Sequence, residues 1–432
     1  MDARRRALAA GLLLCSYLLT GAHAQNVEVK DVRYYTQQAV KAYRAKDFAA
    51  YLENMKQASN LRPNHPTIIY NLAGAYALNA NPVEALGLLG KVAAMGLIYP
   101  AAEDEDFNSV KDSAEFKTLL KRFEANKAPV NHSTAAFTLE EKGLVTEGVA
   151  YDPATETFYV SSVHKRKILS INKQGLARDF SSAQDGLWSV LGMKVDAKRR
   201  HLWVASSAIP QMIDFATSDK NRAGVFKYDL KTGKLLKKYL LPDTANAHTF
   251  GDLAVHPSGD VYVTDSLTAA VYLISKQKDA LELYAGPEPF ASPQGLDFSS
   301  DGKQLFVADY GRGIFVCDVE TKKFAKVEHG DNVALIGIDG LYFYKGSLIA
   351  IQNGVRPHRV VRLRLNPQMN RVERLEVIEA NHPSFDEPTL GVIAGDSFYF
   401  IANSQWGSVS EQGQLASADK LHRPLILKAK LF

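Results

Sequence analysis

Hydrophobic and polar residues change their spacing near residue 130. Before that point apolar residues recur at helical intervals. After it, short runs rich in β-branched and aromatic residues alternate with turns, the pattern of strands. The helical stretch holds two similar segments about 33 residues apart, Tyr34 to Pro63 and Thr67 to Gly96. Each has a tyrosine in its first helix (Tyr43, Tyr76), a turn, and a second helix opened by small residues around Ala49 and Ala85. Pro82 stands where a first helical turn tolerates proline. A further pair is predicted over 101–110 and 113–126. Asp112 or Ser113 would cap the latter, and Phe116, Leu119, Leu120 and Phe123 would form its apolar face. Lys127 to Asn131 reads as a linker, with Pro129 stopping the helix.

One strand pattern then recurs six times. Its first strands begin at Gly148, Gly192, Asp252, Gly295, Gly340 and Gly391, at intervals of 44, 60, 43, 45 and 51 residues. Units of roughly 40 to 50 residues with four strands each are the signature of a β-propeller. The predicted fold class is therefore α + β in separate domains: a leader over 1–24, a helical-repeat domain over 25–130, and an all-β six-bladed propeller over 131–432. The sixth blade lacks an outer strand, and Ala135 to Leu139 is available to supply it, which would cover an exposed edge. The extra length of the second blade, Ile209 to Ala223, reads as a loop or short helix over one face.

The first 24 residues add an address. Arg4, Arg5 and Arg6 precede an apolar stretch from Leu8 to Thr20, and Ala22-His23-Ala24 offers small residues for cleavage. A periplasmic or secreted protein is expected. The apolar stretch is shorter than the ~20 residues of a spanning helix, and no other segment is long enough. Removing Met1 to Ala24 takes the formal charge from +4 to +2, too small a bias to point to nucleic acid or an anionic membrane. Cys317 alone would remain, leaving no pair for a disulfide.

In a propeller the innermost strand of each blade lines the axis. The residues just before the six first strands are Glu147, Leu191, Gly251, Gln294, Asp339 and Leu390. They are far apart in sequence yet would meet at one mouth. Two carboxylates and a carboxamide there, with Asp252 one residue further on, are a candidate site for a hard divalent cation. Hydrogen bonding of Glu147 and Asp339 to neighbouring backbone is the competing explanation. No Gly-x-Ser-x-Gly elbow, His-Glu-x-x-His or phosphate loop supports another enzyme class.

The helical segments resemble tetratricopeptide repeats, which implies a groove for a protein partner or a packing module. Residues 143–432 resemble the regucalcin/gluconolactonase family of six-bladed propellers. Thr146-Glu147-Gly148 and Gly337-Ile338-Asp339-Gly340 match that family's Glu and Asp ligand motifs. Pro293-Gln294-Gly295 stands where the family has Pro-Asn-Gly, and Phe250-Gly251-Asp252 where it has Asn-Asp. Asn353-Gly354 is similar to a further family element. The resemblance implies metal-dependent hydrolysis of a lactone or ester. Glu147, Gln294, Asp339 and Asp252 would hold the metal, Ca²⁺ first, with Zn²⁺ or Mn²⁺ as alternatives. Asp339 or His248 would act as general base, and Asn353, His358 and Trp188 would face the substrate. The other reading is a non-catalytic scaffold, in which the repeats dock a partner and the propeller is a ligand platform.

Overall fold

The computed structural model describes residues 30–242 and 245–431. The expected leader lies outside them. The chain divides into two compact units between Asn126 and Lys127. The expected linker belongs to the second unit, because Val130 and Ala380 exchange backbone hydrogen bonds of 2.9 and 3.0 Å.

Among the described residues the first unit contains five α-helices: α1 Val32–Arg44, α2 Phe48–Leu61, α3 Pro66–Leu78, α4 Pro82–Ala94 and α5 Ala114–Ala125. Local chemistry starts each one. Asp31, Asp47 and Ser113 accept hydrogen bonds from first-turn amides. Pro66 and Pro82 open α3 and α4, where a missing N–H costs nothing. Ala39, Tyr51, Met55, Ala58, Ile68 and Leu72 form the shared core of the first helices.

The helix expected over 101–110 is instead an irregular segment with a single 3₁₀ turn, Glu105–Phe107. Its acidic residues are engaged sideways rather than solvated on a helix face. Tyr70 Oη donates to Asp104 at 2.9 Å, and Tyr43 Oη donates to Asp106 at 2.7 Å. Tyr99 stacks on Tyr70 with ring centroids 4.4 Å apart, and Phe107 is fully buried. The segment therefore lies on the face formed by α1 and α3, the first helices of the two pairs.

The second unit is a ring of six sheets, antiparallel except for a short parallel pairing of Glu328 and His329 with Arg371 and Val372 in the fifth blade. The innermost strands are Thr146–Asp152, Ser189–Asp196, Phe250–Val255, Pro293–Phe298, Ile338–Tyr344 and Gly391–Ala394. Strands alternate apolar residues into the spaces between neighbouring sheets, so the core is a series of inter-blade layers. One of them joins Ala150 and Tyr159 of blade one to Met193, Val204 and Phe226 of blade two. Blade six takes its outer strand from Thr134–Thr138, which pairs antiparallel with Leu425–Lys430. The outer hairpin turns follow a shared design. Asp229 accepts from the Thr232 amide at 2.7 Å and Asp318 from that of Thr321 at 2.8 Å. Gly233 then takes φ +70°, and Lys322 adopts +57° at the matching place without a glycine.

Polar ties join successive blades at the end of the ring where the inner hairpins turn. The Arg200 guanidinium reaches Asp152 with both terminal nitrogens, at 2.5 and 2.6 Å, linking blades two and one. Arg199 donates to the Pro257 carbonyl at 2.8 Å, and His256 Nε2 lies 3.0 Å from the Gly302 carbonyl. His256 thus serves the fold. Between blades five and six, Tyr344 Oη donates to Asp396 at 2.6 Å.

Candidate functional site at the axial mouth

A local irregularity of the inner strands builds the site. In five blades the ladder between first and second strand breaks soon after it opens, after one pair in four of them and after two in blade two. In blade one the pairing skips from Thr146↔Ser162 to Val149↔Val160, leaving Glu147 and Gly148 unpaired. The same break frees Leu191 and Gly192, Gly251 and Asp252, Gln294 and Gly295, and Asp339 and Gly340. Such a bulge re-aims a side chain away from the ladder. The first residue of each bulge lines one cavity of about 210 Å³ together with Leu390 of blade six.

The second bulge position is glycine in four of these five blades, because the neighbouring blade presses on it. A Cβ on Gly148 would lie 2.5 Å from the Leu191 carbonyl oxygen. Asp252 is the exception. Its carboxylate tucks against Gly192, where a Cβ would stand 2.5 Å from Oδ1 and 2.7 Å from the Gly251 carbonyl. Gly192→Ala is therefore expected to destabilise the propeller by about 1–3 kcal/mol, as overpacking does. Denaturant unfolding of the variant checks this; wild-type stability would mean that the inner ring yields.

Two clamps fix the acids of the mouth. Trp406 Nε1 donates to Glu147 Oε2 at 2.7 Å. Asn353 Nδ2 donates to Asp339 Oδ2 at 2.7 Å and also to the Pro388 carbonyl at 3.0 Å. Tyr310 Oη donates to Asn353 Oδ1 at 3.0 Å, which sets the orientation of that amide. Gln294 donates to Ser292 Oγ at 3.1 Å, and its Oε1 would lie 3.5 Å from a Cβ on Gly251. The longer amide thus covers the place where blade three has no side chain.

The acids raise one another's affinity for protons. Burial, then Asp339, hold Glu147 well above the usual carboxylate range, although the Trp406 N–H pulls the other way. Burial first, with the charges of Glu387 and Asp252, pushes Asp339 up to about 7, against the Asn353 hydrogen bond. Burial lifts Asp252 to about 6 despite the charge of Lys194. Asp252 Oδ2 has no hydrogen-bond partner. No Lys or Arg lines the cavity among the described residues.

Glu147, Asp252, Gln294 and Asp339 thus share one cavity, and Asn353 touches it through Asp339. The other sequence candidates do not line it. His248 Nδ1 lies 2.5 Å from Asp265 Oδ2, both buried. Asp265 also takes the Thr249 and Leu267 amides, much as Asp309 in blade four takes those of Ala291, Ser292 and Arg312. His248 therefore belongs to a recurring clamp on the loop into the inner strand. Trp188 is packed between blades one and two, with its indole N–H donating to Asp219 at 3.3 Å. His358 is half-buried; burial, then Arg356, push its pKa down to about 4.

Trp406, Tyr310 and Glu387 escaped the sequence reading. Trp406 had one signal: an indole N–H needs an acceptor wherever it is buried, and this one lies in the long loop between the last two strands of blade six. Glu387 carries a faint one, standing three residues before Leu390 in the loop entering that blade. Tyr310 has none.

Among the described residues no three of His, Cys, Asp and Glu form a ready-made metal cluster. The donors at this mouth are all oxygen: the carboxylates of Glu147 and Asp339, each with one oxygen held by a clamp, that of Asp252, and the Gln294 amide. That chemistry fits a hard cation completed by water better than it fits zinc.

No family model matches the chain, and no curated protein matches it. Solved structures do. The propeller is similar to a gluconolactonase from Xanthomonas campestris, at 15% identity, covering 70% of this chain and 94% of that one, with a TM-score of 0.46. It is similar to a calcium-binding regucalcin from Agrobacterium tumefaciens, at 15% identity, 69% and 96% coverage and a TM-score of 0.47. It is also similar to virginiamycin B lyase from Staphylococcus aureus, at 13% identity, 68% and 98% coverage and a TM-score of 0.46. Likeness at this level bears on no single residue and no reaction.

Proposed function

We propose that the protein is an exported, divalent-cation-dependent hydrolase of lactones or esters that works at the axial mouth. The observation that carries this reading is the convergence of Glu147, Gln294 and Asp339, from three separate blades, on one cavity. These three would hold the cation, with Asp252 beside them. Ca²⁺ is the first choice, because the donors are oxygens. Buried acids that raise one another's pKa, with no lining base, form a site that a bound positive charge would neutralise.

A bound cation polarises a carbonyl and acidifies water. The chain's own residues supply the rest. Trp406 and Asn353 hold one oxygen each of Glu147 and Asp339, so the carboxylates stay oriented through turnover. Asp339 acts as general base toward a water on the substrate side. His248 is too engaged by Asp265 to be preferred for that step. Leu191, Leu390, Ile209 and Trp406 give the cavity an apolar side.

The test is elemental analysis of the purified chain together with hydrolysis of a lactone and aryl-ester panel. About one equivalent of Ca²⁺ is expected, with turnover that stops on chelation and returns on adding Ca²⁺. Turnover indifferent to chelation would sink the proposal. So would a chain that binds no divalent ion.

A further inference from the structure

We infer that the substrate carries an apolar, uncharged acyl or alkyl group, and is not a polyhydroxylated lactone. This rests on the hydrolase reading and narrows it. The cavity has two unlike halves. Blades three to five contribute Gly251, Asp252, Gln294 and Asp339, and the loop into blade three adds Thr249. The opposite half is made by Leu191 of blade two and Leu390 of blade six, which flank Glu147 on the ring. Two loops complete that wall. Ile209 comes from the loop between the second and third strands of blade two, and Trp406 from the corresponding loop of blade six. The loops also pack on each other: Ile209, Trp406 and Leu415 rest on a buried cluster of Val145, Val163 and Val409. A wall braced in this way is a fixed surface for an apolar group.

The polar half has little left for a polyol. Glu147, Gln294 and Asp339 are committed to the cation, and Asp252, whose Oδ1 lies against Gly192, offers a single unpartnered oxygen, Oδ2. Among the described residues Thr249 is the one hydroxyl on the lining. Hydroxyls buried there without partners would lose binding by roughly tenfold each. Among the described residues no Lys or Arg lines the cavity beside its several carboxylates, which also argues against an anionic substrate. A carbonyl directed at the polar half would place its alkyl tail along Leu191, Ile209 and Leu390.

The experiment compares kcat/KM for γ-lactones with tails of rising length against glucono-δ-lactone. An increase of about fourfold per methylene is expected until the cavity is filled. Glucono-δ-lactone should fall at least tenfold below the short-tailed members. Ile209→Ser should flatten the dependence on tail length without abolishing turnover. Faster hydrolysis of glucono-δ-lactone, or turnover independent of tail length, would overturn the inference and leave the hydrolase reading standing. The matching γ-lactams, which resist hydrolysis, separate the two further in titration calorimetry. Lactam binding that tightens with tail length, with no lactone turned over, would support the apolar site and remove the hydrolase. Lactam affinity that ignores the tail would overturn the inference.

Discussion

Asp339→Asn should reduce lactone or ester hydrolysis about 10³-fold, in the range expected for removing a general base. The change keeps the shape of the side chain and deletes its charge. Asn353 can still touch the new amide, so the mouth should keep its form while losing both a donor to the cation and the proton acceptor. Burial and the neighbouring acids already resist ionisation of Asp339, so the variant should fold at least as stably as the parent. Calorimetric titration with Ca²⁺, thermal unfolding and initial rates check the three parts separately. A variant of full activity with unaltered Ca²⁺ affinity would remove Asp339 from the site. Loss of folding would instead make it a structural acid.

Arg200→Met is expected to destabilise the propeller by about 3–5 kcal/mol, the usual cost of stranding one member of a buried ion pair. The Asp152 side chain is fully buried, and the Arg200 side chain is 20% exposed. Thr155 and the Ala154 amide also donate to Asp152, but they carry no positive charge. All three tryptophans, Trp188, Trp203 and Trp406, lie in the propeller, so fluorescence-monitored denaturation reports on this unit. Acid provides a second check. Hydrogen bonds from Arg200 and Thr155 outweigh burial and hold Asp152 below the ordinary carboxylate range. The stability it contributes is present above the unfolded value of about 3.9 and is lost as pH falls through the folded one. The gap between wild type and Arg200→Met should therefore be widest near neutrality and narrow below about pH 4. A gap that stays constant with pH would show that the arginine acts by packing alone.

The ring was legible because its information is periodic. Six inner strands, their turns and the exchanged strand before Gly148 all follow from recurring short-range patterns. The level of the mouth was legible for the same reason, since one residue per blade stands just ahead of a recurring glycine, or of Asp252 in blade three. What could not be read is what crosses between repeats. The Trp406–Glu147 bond joins residues 259 positions apart, and nothing in either local pattern requires it. His248 illustrates the opposite error. A histidine near the blade-three entry is a fair base on sequence grounds, but Asp265 beside it belongs to a clamp that recurs as Asp309. Trp188 sits close to Leu191 in sequence and faces the inter-blade core instead of the mouth. The helix expected over 101–110 failed because its acids have tyrosine partners on α1 and α3. Those contacts also bear on the scaffold reading: a peptide seeking the face of α1 and α3 would first have to displace Tyr99 and Phe107.

The exchanged strand has a consequence for how the molecule is made. Thr134–Thr138 emerges early from the ribosome, but the strand it pairs with, Leu425–Lys430, emerges nearly three hundred residues later. Each of the first five blades can complete its own sheet as it is synthesised. The last step joins one of the earliest strands of the propeller to its final one, so loss of the last few residues would leave two open edges at one seam. Nascent chains stalled before residue 425 should therefore remain protease-sensitive at that seam while the middle blades are already protected.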